Sequence, residues 1–182
     1  MFDFEIARFL YRVAFLLTMF HDSTYKARAY FKAALSVDGY SSAVANLYKN
    51  GELKSLPHVG ISIEKNIIEV LETNSLTLVE ELLGDIPSSV FEIYEHTNTT
   101  DRLLKKLFDN KVYSMEGIKV AVENRAAFLS ASDIGLLYDV TTCYYTNLKF
   151  QYAHAAEIAN ELVETLKVIC SFLSRSYKLI AI

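Results

Sequence analysis

Leu56-Pro57-His58-Val59-Gly60-Ile61-Ser62-Ile63, running straight into Glu64-Lys65-Asn66-Ile67-Ile68-Glu69-Val70-Leu71, is the stretch on which the fold turns. Proline opens a short turn and glycine lies inside it. Beyond them Ile63, Ile67, Val70 and Leu71 recur at helical spacing and make one apolar face. A turn that opens directly into a helix leaves the first backbone N–H groups without acceptors. They point outward, where an anion such as a phosphate can dock. A single Pro-x-x-Gly turn is a generic connection, so its meaning depends on its neighbours.

The 182 residues are enough to bury a core, as one domain or two small ones. Hydrophobic content of 52%, with 12 Tyr and 11 Phe, excludes a disordered chain. Only 2 Pro and 6 Gly leave few helix breakers, so an all-α fold is expected. Charges interrupt every apolar run before it reaches membrane-spanning length. The first helix opens with Asp3 and Glu5 and has no cationic start, which argues against a signal peptide. Cys143 and Cys170 are isolated, so a reducing, cytoplasmic compartment is expected. The net charge of −4 means that any basic surface must be local.

Residues 3–20 place Ile6, Phe9, Leu10, Val13, Leu16, Leu17 and Phe20 at helical spacing. Asp22 and Ser23 can cap a second helix over residues 24–36, with Ala27, Tyr30, Phe31, Ala34 and Leu35 on its apolar side. A third starts at Ser41 or Ser42, and Gly51 suits its stop. The turn and the helix behind it follow, ending near Asn74, and a short helix covers residues 78–83. This is the physics of a helix-hairpin-helix, a sequence-independent reader of nucleic-acid backbones. After Pro87, residues 88–95, 100–110 and 115–124 read as short helices. Residues 133–145 read as a helix capped from Ser132 or Asp133, and residues 152–174 as the longest. Residues 177–182 are apolar and β-capable and read as a stub of strand.

Ordered landmarks sharpen this outline. Ala29-Tyr30-Phe31-Lys32-Ala33-Ala34 matches an Ala-Tyr-x-x-Ala-Ala helix. Gly51 to Gly60, with Leu56-Pro57-His58-Val59-Gly60 at its end, matches a Leu-Pro-Gly-Val-Gly hairpin, and residues 67–73 the helix behind it. Residues 92–104 sit at a second hairpin, and Ile134-Gly135-Leu136-Leu137-Tyr138 matches an Ile-Gly-Leu-Lys-Tyr segment. In this order they resemble the N-terminal half of the family X DNA polymerases, the DNA polymerase beta relatives. The resemblance implies an 8-kDa-like domain over residues 1–85 that binds the 5′-phosphate side of gapped or nicked DNA. It implies a fingers- or thumb-like helical domain over residues 86–176, and the start of a palm at 177–182. The palm, with the Asp cluster that holds two Mg²⁺ ions, would lie beyond residue 182, so this chain is expected to bind DNA weakly and not to polymerise it.

Departures from the family matter for chemistry. Its lyase lysine falls on Asn66, whose amide cannot form a Schiff base, and the adjacent Lys65 is turned by ~100° on a helix. Lys26 and Tyr30 match a Lys and a Tyr that contact the 5′-phosphate, while a further Lys of the family falls on Ser62 and a His on Tyr25. Arg28 and Lys32 complete a basic cluster on the second helix, which also reads as an ordinary solvated face; Tyr30 reads as core as readily as contact. His58 replaces the first hairpin glycine and is read as a turn residue or a phosphate contact, whereas Gly60 remains where backbone must come close. In the second hairpin His96-Thr97-Asn98 stands where Gly-x-Gly would be. The resemblance also implies a monovalent cation at the carbonyls of Leu56 and Val59. No other catalytic constellation competes: the four histidines share no ligand spacing, and the many Tyr and Phe are read as core rather than a stacking platform. The competing function is a degenerate helical scaffold for protein contacts that has lost DNA binding, which the acidic balance favours.

Overall fold

A computed structural model describes the backbone of residues 3–40, 44–97 and 99–180, and side chains from residue 4 to residue 163 of these. Every regular element among the described residues is a helix: α1 (Asp3–Met19), α2 (Thr24–Asp38), α3 (Val44–Asn50), a 3-10 turn (Leu53–Ser55), α4 (Ile61–Thr73), α5 (Thr77–Leu83), α6 (Val90–His96), α7 (Asp101–Asp109), α8 (Met115–Glu123) and α9 (Ala131–Ile180). The start of the third helix expected at Ser41 or Ser42 lies outside the described residues.

The first helix organises the rest. Ile6, Leu10, Val13 and Leu17 form one buried face, the expected stripe, but Phe15 and Met19 on the far side are buried as well. α1 packs most extensively on α2, and also on α4, α5 and α7. Its second face enters an aromatic cluster: Phe15 stacks on Tyr94 at 4.4 Å between centroids and meets Phe91 and Phe108 at 6.2 and 5.9 Å. Above that cluster Arg8 and Arg12 both donate to the Glu95 carboxylate, Arg12 from Nη2 at 2.7 Å. The Arg12 guanidinium also lies 4.5 Å over the Phe91 ring.

Three elements differ from the sequence expectation. Phe31 and Leu35 of α2 are 46% and 50% exposed, and Ala33 and Val37 take their places in the core. The expected helices at 133–145 and 152–174 are one helix, α9, because no Gly or Pro follows Gly135 to break it. The cap also lies earlier: Asp133 accepts the Ser130 N–H at 2.9 Å while Ser130 Oγ accepts the Asp133 N–H at 3.2 Å, a reciprocal box. Lys106 of α7 reaches the same carboxylate at 2.6 Å. These bonds, Lys106 first, hold the Asp133 carboxyl well below the usual carboxylate range. The strand expected at 177–182 is helical as far as Ile180, since a strand with no partner leaves its backbone groups unpaired and a helix does not; residues 181–182 lie outside the described residues.

Two tyrosines dock α9 on the body. Tyr144 donates to Glu92 of α6 and Tyr145 donates to Glu116 of α8 at 2.7 Å. The hydrogen bond to Glu92, then burial, push the Tyr144 phenol up to about 12, so it stays a donor at any physiological pH. From Lys149 to Val163 every side chain is exposed.

The Arg8–Arg12–Glu95 contact carries a pH dependence. Burial pushes the Glu95 carboxyl up, but hydrogen bonds from Arg8 and Arg12, with their charges, outweigh it and leave it below the ordinary glutamate range. A folded pKa below the unfolded one means stability present above the unfolded value and lost as pH falls through the folded value. Glu95→Gln should therefore be less stable than the unaltered protein at neutral pH, with the difference shrinking below about pH 4. Urea melts at neutral pH and in acid measure this, and a constant difference would refute it.

Candidate nucleic-acid interface

The hairpin is built from its apolar inner side. Gly51, at φ 70°, turns the chain out of α3, and its N–H donates to the Tyr48 carbonyl at 3.0 Å. Leu53, Leu56 and Val59 are buried and pin the turn to the core, while Pro57, His58, Gly60, Ile61 and Ser62 stay exposed. His58 takes φ 64°, the left-handed conformation that glycine adopts most readily. The Val59 N–H then donates to the Leu56 carbonyl at 3.3 Å, and Glu64 N–H to Gly60 O at 2.9 Å closes the first turn of α4.

Gly60 precedes α4 with φ −91° and ψ 177°, extended backbone open to any residue, and a Cβ there would meet nothing within 4 Å. No side chain caps the helix at this position. The N–H groups of Ile61, Ser62 and Ile63 accordingly have no acceptor among the described residues; Ile61 and Ser62 are exposed and Ile63 is buried, and the positive end of the helix dipole lies behind all three. Glu64 in the first turn opposes an anion, but Lys54 reaches it at 3.4 Å and offsets part of its charge.

The expected contact residues fall into separate groups. Tyr30 is 8% exposed, and its hydroxyl accepts the Asn66 Nδ2–H at 2.8 Å. Tyr30 and Asn66 thus meet across α2 and α4, with Tyr30 also a core residue. Lys26, exposed, lies one turn before Tyr30 on the same face of α2. Arg28 and Lys32 are exposed too, but ~200° and ~240° round the helix from Lys26, so the four residues are not one cluster. Ser62 and Lys65 are exposed on the first turns of α4. His96 is exposed at the end of α6 with its ring 5.3 Å from that of Tyr144. Asn98 lies outside the described residues. Leu56 O already accepts one N–H, and Val59 O accepts no backbone donor among the described residues.

Sequence reasoning passed over Arg8, Arg12 and the exposed ring of Phe31. Arginine and aromatic residues alternating at Arg8, Tyr11 and Arg12 on one helix were the available signal. Among the described residues no group of three or more His, Cys, Asp or Glu is placed to hold a metal ion, and no helix is long and apolar enough to cross a membrane.

A helix-hairpin-helix domain family matches residues 3–76, the stretch from α1 through the turn to the end of α4. No curated protein matches the chain.

The left-handed turn residue can be tested by substitution. His58→Gly should keep the fold, whereas the β-branched His58→Val should lose about 1–2 kcal/mol. Chemical melts compare the two, and equal stability would show that the turn relaxes to another conformation.

Proposed function

We propose that this helix-hairpin-helix protein binds DNA through its backbone, the N–H groups of Ile61, Ser62 and Ile63 receiving a phosphate oxygen of gapped or nicked DNA. The single observation behind it is the exposed, uncapped start of α4 behind the turn, inside the stretch that matches the family. Helix-hairpin-helix domains commonly bind DNA. Gly60 adds support: neither its conformation nor its surroundings need a glycine, so close approach of a ligand is the simplest reason for one.

The finer reading is the N-terminal half of a family X polymerase acting in repair. The ordered landmarks support it, as does the Tyr30–Asn66 contact, which sets the expected phosphate tyrosine against the lyase position with Lys26 one turn away. A 5′-phosphate would lie between Lys26 and the start of α4, with His58 and Lys65 flanking the approach. In this reading nucleotidyl transfer belongs to a separate palm domain. The Leu56 and Val59 carbonyls, neutral oxygens, suit a hard monovalent cation, which would add positive charge beside the phosphate. With few cations in reach, affinity is weak and the salt slope shallow, each phosphate neutralised contributing about 0.9.

Gly60→Asp separates fold from function. Aspartate is a better cap than glycine by a few tenths of a kcal/mol, so the variant should be at least as stable. Its carboxylate would occupy the same N–H groups and repel phosphate, so binding to a nicked duplex should fall below detection in a fluorescence titration. Unchanged binding would sink the hairpin reading. Lys26→Ala should abolish any preference for a 5′-phosphorylated gap while leaving stability unchanged.

The amide at residue 66 makes a second expectation. Borohydride should trap no covalent adduct between this chain and an incised abasic site, because no neutral amine faces the pocket there. A trap removed by changing Lys65, Lys26 or Lys32 would overturn this.

A further inference from the structure

Away from the hairpin, two clefts of about 530 and 310 Å³ lie side by side where α1, α2 and α6 converge, and Tyr94 lines both. The larger holds Phe4, Tyr11, Arg8 and Arg12, and the smaller holds Phe31 and Arg28. Phe4 is 67% exposed and Phe31 46%, and neither exposure serves the core. The Tyr11 and Phe31 rings meet edge-on at 5.6 Å, so the aromatic surface runs on from one cleft to the other. Its floor is packed from below, because the buried Phe15 stacks on Tyr94 at 4.4 Å between centroids.

Guanidinium groups are interleaved with these rings. Arg8 and Arg12 each give Nε and Nη2 to Glu95, yet each guanidinium has five N–H donors, so several remain. Arg28 has no carboxylate partner among the described residues. Three arginines stand against Glu95 and Asp101, leaving a net positive lining on a protein whose total charge is −4. Exposed rings alternating with cations match the alternation of base and phosphate in an unpaired strand. A duplex keeps its bases stacked inside and cannot use the rings.

We propose that these clefts are a binding platform for single-stranded DNA, in which bases stack on Phe4 and Phe31 while Arg28 and the free donors of Arg8 and Arg12 hold phosphates. The platform rests on the DNA-binding reading above and extends it: the hairpin grips the duplex backbone, and the platform takes the unpaired strand of the same gap. Arg28, ~200° from Lys26 round α2, serves this surface rather than the hairpin.

The test uses the full chain, a labelled thymidine oligonucleotide and a blunt duplex, with binding followed by anisotropy over a range of salt. The double variant Phe4→Ala, Phe31→Ala changes exposed rings and should stay folded by circular dichroism. It should bind the oligonucleotide at least about fivefold more weakly for each ring removed, with duplex binding unchanged. Arg28→Gln should lower the single-strand salt slope by about 0.7. No oligonucleotide binding by the unaltered chain at low salt, no effect of the double variant, or an equal loss on duplex would each overturn the platform. Gly60→Asp separates the two surfaces: it should lose duplex binding and retain oligonucleotide binding. If it leaves duplex binding intact, the hairpin reading fails and the aromatic variants alone still decide the platform.

Discussion

Burial of α1 on both faces is the constraint on which the other elements depend. One face, with Ile6, Leu10 and Val13, supports the hairpin half of the molecule, and Phe15 on the other holds α6 and α7. Each fully buried large side chain contributes about 1.5–3 kcal/mol, so a helix apolar on both sides is worth more as a hub than as an ordinary surface helix. Because α2 leans on α1 and α4 also touches it, the register between Tyr30 and Asn66 is set by a helix that contains neither. The arginine pair on Glu95 then ties that hub to α6 from outside the core.

Strain and openness are divided within the hairpin. His58 takes the left-handed conformation, while Gly60, which has more freedom, sits in an ordinary extended one. The turn is held in shape by three buried side chains on its inner side rather than by its own residues. A backbone so supported can present unpaired N–H groups without collapsing on them, which is what pre-organisation for an anion requires.

Much of the fold was legible because its punctuation is local. Gly51, Asn74 and the Thr100 and Ser114 caps end or begin helices by chemistry confined to a few residues. Periodicity gave one stripe of α1 and hid the second, since Phe15 declares itself only when α6 and α7 arrive. The same limit applies to Phe31 and Leu35, apolar at core spacing yet exposed, because the docking of α2 and not its sequence decides which way they face. The division of α9 into two helices rested on no breaker and fails for that reason. In the interface, the turn and Gly60 could be read directly. The bond between Tyr30 and Asn66, 36 residues apart, could be seen only in the folded chain.

The length of α9 has a mechanical consequence. At 1.5 Å per residue its 50 residues extend about 75 Å, against a radius of gyration near 16 Å for a compact chain of this size. The part beyond the anchors Tyr144 and Tyr145, roughly 50 Å long, adds friction out of proportion to its mass, so the protein should tumble slowly, elute early from a sizing column and sediment more slowly than a compact chain of 20.6 kDa. It also acts as a lever: a tilt of a few degrees at its root sweeps its far end through several ångströms, turning small adjustments of the α6–α8 surface into large displacements at a distance.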